Sequence, residues 1–173
     1  MKITFQVCTL LLSHGADPTI VNCHSKTAID VAATQDLKEK LLYEYRGHTY
    51  LEAVRSADIG KIKRIISPEL INFCHPLTLD SALHICAKSN SAKRERVAEF
   101  LIKRGCDVGL RNKEKLTPLH DSAAHGNGEV LEMLVKASSD INALDELMLT
   151  PLHHAAQAGR LEMSQFWVGP FSI

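Results

Sequence analysis

The chain has 173 residues, with 20 Lys+Arg against 20 Asp+Glu and a sequence pI near 7.1, so it lacks the clustered basic excess of a dedicated nucleic-acid or anionic-membrane surface. A hydrophobic content of 45% supports a real core, and charged residues at 23% argue against wholesale disorder. Aromatics are only 5%, which suits closely packed short helices of Leu, Ile, Val and Ala better than a β-sandwich.

Met1-Lys2 followed by the apolar run Ile3 to Leu12 has the outline of a short signal peptide, but the register of the later sequence accounts for it better as helix. Val7 to His14 then forms the second helix of a repeat, and Gly15 closes it in the left-handed conformation that a residue without Cβ adopts cheaply. Cys8, Cys23, Cys74, Cys86 and Cys106 are odd in number and widely spaced, with no C-x-x-C pair. That pattern predicts reduced thiols and a cytoplasmic or nuclear rather than secreted protein. No apolar run approaches the ~20 residues needed to span a bilayer.

Ser81-Ala82-Leu83-His84, Thr117-Pro118-Leu119-His120 and Thr150-Pro151-Leu152-His153 align at spacings of 36 and 33 residues. Asp17, Asp107 and Asp140 keep step, each ten residues before Thr27, Thr117 and Thr150. A divergent unit starts near His48. The Thr-Pro-Leu-His signature at this period resembles the ankyrin repeat, two antiparallel helices and a β-turn. Thr caps a helix whose first position tolerates Pro, Leu fills the core, and the small pairs Ser122-Ala123 and Ala155-Ala156 admit the neighbouring helix. Gly105 repeats the role of Gly15, whereas Ala137-Ser138-Ser139-Asp140 has lost that glycine, which predicts a weaker cap.

Between Thr27 and His48 there is no room for a whole repeat. Leu37, Leu41 and Tyr45 share one helical face, so a short terminal repeat is expected to run through an extended helix into the next unit, with Gly47 its weak point. The spacing of 36 after Ser81 predicts a longer inter-helix loop over Asn90 to Arg96. The expected fold is therefore an all-α ankyrin-type solenoid, truncated at both ends. Residues 1–46 would end one cluster, 47–163 would form the next, and 164–173, with Pro170 and an apolar composition, would be a non-repeat tail.

Gly15-Ala16-Asp17-Pro18-Thr19-Ile20-Val21-Asn22-Cys23-His24, Lys26-Thr27-Ala28-Ile29-Asp30, Leu37-Lys38-Glu39-Lys40-Leu41 and Tyr43-Glu44-Tyr45-Arg46-Gly47-His48 are similar to the tankyrases. So are Ile71-Asn72-Phe73, Ala82-Leu83-His84 with Lys93-Arg94, and Asn142-Ala143-Leu144-Asp145. The resemblance runs from Val7 to Glu162. It implies a segment of a longer protein that carries several ankyrin clusters, an oligomerising sterile-alpha-motif domain and an NAD-consuming poly-ADP-ribosyltransferase domain. The catalytic part would lie outside this chain, so no cofactor is expected here. A stand-alone ankyrin adaptor and the substrate-recruiting part of such a transferase are the alternatives.

His84 with Cys86, Cys74 with His75, and His153 with His154 are single pairs without a second pair at ligand spacing, so no metal site is expected. His84, His120 and His153 occupy the recurring repeat position, where an imidazole links adjacent turns. His125 and His154 lie off it and are expected to be more exposed. Gly126-Asn127-Gly128 lacks the Lys-Ser/Thr of a phosphate loop. Lys61-Ile62-Lys63-Arg64 and Lys93-Arg94-Glu95-Arg96 read as solvated faces, since acidic residues intervene and no aromatic stacks between them. The partners expected are other proteins, held on the concave surface, with neither nucleic acid nor membrane.

The resemblance implies a pocket for Arg-x-x-Pro-x-Gly peptides, in which Arg lies between Trp and Phe beside a carboxylate and Gly lies between two Tyr. Most of its positions are substituted. Leu147 and Leu149 stand for the Trp and Phe, and His154 for the Glu, while Asp145 is retained. Lys88 and Ser89 replace the Gly-Tyr pair, and His125 the second Tyr. Such peptides are therefore expected not to bind, with Lys88 repelling the Arg.

Overall fold

The computed structural model describes residues 2–89 and 91–159, with side chains from residue 5 onward. These residues form the helices α1 (Lys2–Ser13), α2 (Gln35–Arg55), α3 (Ile59–Ile65), α4 (Ala82–Ala87), α5 (Ala92–Lys103), α6 (Pro118–His125), α7 (Gly128–Lys136) and α8 (Pro151–Gln157). No strand occurs among them. An isolated antiparallel bridge joins Cys74 to Ser81. The C-terminal half of α2 pairs with α3, α4 with α5 and α6 with α7, while α2, α4, α6 and α8 stack on one another as an inner layer. The non-repeat tail expected over 164–173 lies outside the described residues.

The inner helices α4, α6 and α8 start in the same way. Thr117 and Thr150 are N-caps with Pro at the first helical position, and Ser81 caps α4 without one. The third helical residue is His, whose Nδ1 accepts the backbone N–H of its own cap: Ser81 to His84 at 3.1 Å, Thr117 to His120 at 3.1 Å and Thr150 to His153 at 3.2 Å. The remaining nitrogen then reaches the following turn. His84 Nε2 lies 2.9 Å from the Leu116 carbonyl and His120 Nε2 lies 3.1 Å from that of Leu149. A carbonyl can only accept, so each ring carries its proton on Nε2. Burial holds both imidazoles below the usual histidine range despite these bonds.

The first unit shows what happens when that residue changes. Asp30 stands where the other units have His, and its Oδ2 accepts from the Thr27 backbone N–H at 2.9 Å. The cap is preserved. A carboxylate has no proton to donate onward to the next turn, however, and only a turn over 28–31 forms instead of an inner helix. Residues 35 to 55 then run as one helix, N-capped by Thr34, so the expected division at 46/47 falls inside α2.

Gly47 is not a weak point in that helix but a contact. The ring of Phe73 packs against it so closely that a Cβ built there would stand 2.3 Å from ring carbons. The same ring meets Tyr43 edge-on at 5.5 Å and His48 at 5.9 Å. Beyond Gly47 the helix is buried at Tyr50, Leu51, Ala53 and Val54, which join Ile62, Leu83, Leu101, Leu119, Leu131 and Leu134 in one core. A fully buried Leu contributes about 2 kcal/mol.

The longer loop expected over Asn90 to Arg96 is instead largely helix. α4 and α5 start ten residues apart, as α6 and α7 do, but α5 has 12 residues against nine in α7. The three added residues make close to one more turn. That turn carries Arg94, whose guanidinium donates to the Arg55 carbonyl at 3.0 Å and so satisfies an end of α2.

Candidate functional site

The turns that precede Thr27, Thr117 and Thr150 share one construction. A side chain five residues before the cap accepts two backbone N–H groups: Asn22 from His24 and Lys26, Asn112 from Glu114 and Leu116, Asp145 from Leu147 and Leu149. Two residues before each cap the backbone is left-handed, at Ser25, Leu79, Lys115 and Met148. This brings Leu147 and Met148 to the tip of the last turn, where they are 75% and 68% exposed.

The residues expected to mark a peptide pocket fall into two groups. In the first, Asp145 is buried and its carboxylate is fully engaged. Oδ1 accepts from the Leu147 and Leu149 N–H groups, both at 2.8 Å, and Oδ2 meets His154 Nε2 at 2.7 Å. Burial works against its ionised form, but these hydrogen bonds outweigh it and hold the carboxyl below the usual range. His154 is thus less exposed than expected. Its ring also packs edge-on against His120 at 5.4 Å. Leu149 is half-buried, and Leu147 reaches solvent.

The second group gathers at the C-terminal end of α4. Lys88 Nζ lies 2.9 Å and 3.0 Å from the two oxygens of Asp80 and 3.6 Å from Asp121. Its charge is therefore matched within the protein and is not a free repulsive cation as expected. Asn112 also donates to Asp80 at 3.1 Å. Burial, reinforced by Asp80, pushes the Asp121 carboxyl up to about 6, with Lys88 opposing. Ser89 holds its neighbour through the backbone, its carbonyl accepting from Asn127 Nδ2 at 2.6 Å. His125 is exposed and pairs its Nδ1 with the Asp121 carbonyl at 2.8 Å.

Asp80, His84 and Asp121 have donor atoms within 4.8 Å of one another, yet they do not suit a metal. Both nitrogens of His84 are committed to Ser81 and Leu116, and the Lys88 ammonium already lies beside both carboxylates. Sequence reading passed over Asp80, Asn112, Asp121 and Asn127. The signal available was register, since Asn22, Asn112 and Asp145 each stand five residues before a Thr.

A family model for ankyrin repeats in three copies matches residues 51–145 and, in a second placement, 83–168. The chain belongs to the ankyrin-repeat family. The matched span begins inside α2 and covers the stacked inner helices, whereas the first unit, with its Asp30, lies before it. Ankyrin repeats bind other proteins through surfaces repeated from unit to unit, and the two residue groups above lie where successive units of this chain meet. Among the described residues no helix is long and apolar enough to cross a membrane.

Proposed function

We propose that the chain is a protein-binding scaffold segment of a tankyrase-like protein, and that it serves as a spacer cluster whose pocket for Arg-x-x-Pro-x-Gly peptides is degenerate. In this reading 1–46 ends one cluster and 47–163 belongs to the next. One observation supports it above others: the carboxylate of Asp145, the group a peptide guanidinium would need, has both oxygens engaged by the protein's own donors. A guanidinium forks onto a carboxylate only where two lone-pair directions are open. Here it would have to displace His154, and the flanking Leu147 and Leu149 offer no aromatic face to stack on.

The second group supports the same reading. Lys88, fixed by Asp80 and Asp121, fills the place where a slot for glycine between two rings is required. Titration of a fluorescent Arg-x-x-Pro-x-Gly peptide tests the proposal. No saturation at micromolar concentrations is expected, and micromolar affinity for the unaltered chain would overturn it. Combining Lys88→Gly, Ser89→Tyr, His125→Tyr, Leu147→Trp, Leu149→Phe and His154→Glu is expected to restore measurable binding.

A further inference from the structure

The neutral overall charge conceals a strong separation along the array. Residues 58–104 carry nine Lys/Arg against five Asp/Glu, whereas residues 105–159 carry four against eight. On the outer layer the excess positive charge is organised around an aromatic ring that sequence reading took to be missing. Lys63 of α3 places its ammonium 5.7 Å from the centre of the Phe100 ring, and the Arg104 guanidinium carbon lies 5.1 Å from the same centre. Arg96, Phe100 and the C-cap residue Arg104 recur every fourth residue from α5 into its cap, hence on one side of the helix. Lys63, Arg96 and Arg104 are all exposed.

Beside Arg104 a pocket of about 350 Å³ opens between the turn after α3 and the end of α5, lined by Ser67, Asn72, Arg104 and Gly105 among others. The Ser67 hydroxyl there is shielded from solvent and has no hydrogen-bond partner within the protein. A guanidinium held over a ring keeps its N–H edge free for two parallel bonds to a carboxylate.

We propose that this outer face, formed by Lys63, Arg96, Phe100 and Arg104 with the Ser67 pocket, is a docking surface for an acidic, Asp/Glu-rich segment of a partner protein, separate from the inner groove. A carboxylate entering the pocket beside Arg104 meets the free N–H edge of its guanidinium. A peptide fits better than a nucleic acid, because the basic surface is short, is interrupted by Glu95 and Glu99, and gives way to the acidic half of the array, which would repel an extended phosphate backbone.

A fluorescein-labelled octaglutamate peptide, titrated into the full chain at about 50 mM and about 200 mM salt, provides the test. Saturable binding at the lower salt is expected, weakening several-fold at the higher. Lys63→Glu combined with Arg104→Glu should weaken it by about tenfold or more. Lys63→Gln with Arg104→Gln should have an intermediate effect, and serves alone if circular dichroism shows the reversed variant unfolded. Met148→Ala, at the exposed tip of the last inner turn, should leave octaglutamate binding unchanged, and the Arg-x-x-Pro-x-Gly peptide is titrated separately, so failure here is distinct from failure of the spacer reading. Absence of binding, undiminished binding by the folded charge variants, or tighter binding to a single-stranded RNA or an anionic vesicle would overturn the proposal.

Discussion

His154 Nε2 lies 2.7 Å from Asp145 Oδ2, while Asp145 Oδ1 ties down the N–H groups of Leu147 and Leu149. The histidine therefore completes a turn that the aspartate organises, and the two substitutions should differ in cost. His154→Ala removes one hydrogen bond to a charged group, about 2 kcal/mol. Asp145→Ala should cost more, because two backbone donors lose their acceptor as well. Urea unfolding of both variants checks the order, and equal losses would contradict it.

Ser138 and Met148 hold left-handed backbone, with φ of 65° and 59°, where a side chain costs roughly 1 kcal/mol relative to glycine. Ser138 ends α7 as Gly105 ends α5: its N–H bonds the Val135 carbonyl and the Ser139 N–H bonds that of Leu134, matching Gly105 to Ile102 and Cys106 to Leu101. Ser138→Gly and Met148→Gly should each stabilise by about 0.5 to 1 kcal/mol. Gly105→Ala should destabilise by a similar amount. Thermal melts decide the signs.

At Gly47 the expectation is reversed. An alanine usually strengthens a helix by about 1 kcal/mol, but here its Cβ meets the Phe73 ring. Gly47→Ala should destabilise by about 2 kcal/mol or more through overpacking. Shrinking the ring with Phe73→Leu should recover part of the loss, so the double variant lies above the sum of the singles. Simple additivity in chemical denaturation would show that the contact is not the cause.

The repeat register was legible because its landmarks are backbone requirements: a cap, a proline, an imidazole that bridges two turns. It correctly placed α1, the long helix and the links made by His84 and His120. Gly47 was misjudged because helix propensity is a local quantity, whereas Phe73 reaches it from 26 residues away. The extra residues near Arg96 were assigned to a loop since spacing alone cannot distinguish added loop from an added helical turn. The pairing of Lys88 was invisible because Asp80 and Asp121 come from different units, and charge matching across units leaves no pattern within one of them.

Titration should separate two opposing effects. The His84 and His120 imidazoles have pKa values lowered by burial, so their unfolded forms bind protons more readily and their contribution is lost as pH falls below about 6.5. Asp121 has the opposite sign. Its folded carboxyl titrates near 6, raised by burial, so its contribution is present at low pH and lost as pH rises through that value. Asp121→Asn should therefore gain stability relative to the parent as pH rises from about 4 to about 6, and the difference should level off above that. A constant difference across that interval would refute the assignment.

Thiol reactivity gives an independent measure of packing. Cys86 and Cys106 are buried, and burial pushes both thiols up to about 12; Cys23 is exposed. A disulfide-exchange reagent should label Cys23 promptly and reach Cys86 and Cys106 only on opening of the array. Prompt modification of either buried thiol under native conditions would contradict the packing described.

The 21 residues of α2 extend roughly 30 Å at 1.5 Å each, with α1 seated near one end and the main core closed around the other. A peptide linker would let those two regions swivel independently. A continuous helix, clamped at Gly47 by Phe73 and tied at its far end by Arg94, acts instead as a girder. Bending there means breaking helical hydrogen bonds rather than turning a few free dihedrals, so a load applied to the first unit passes as torque into the inner layer.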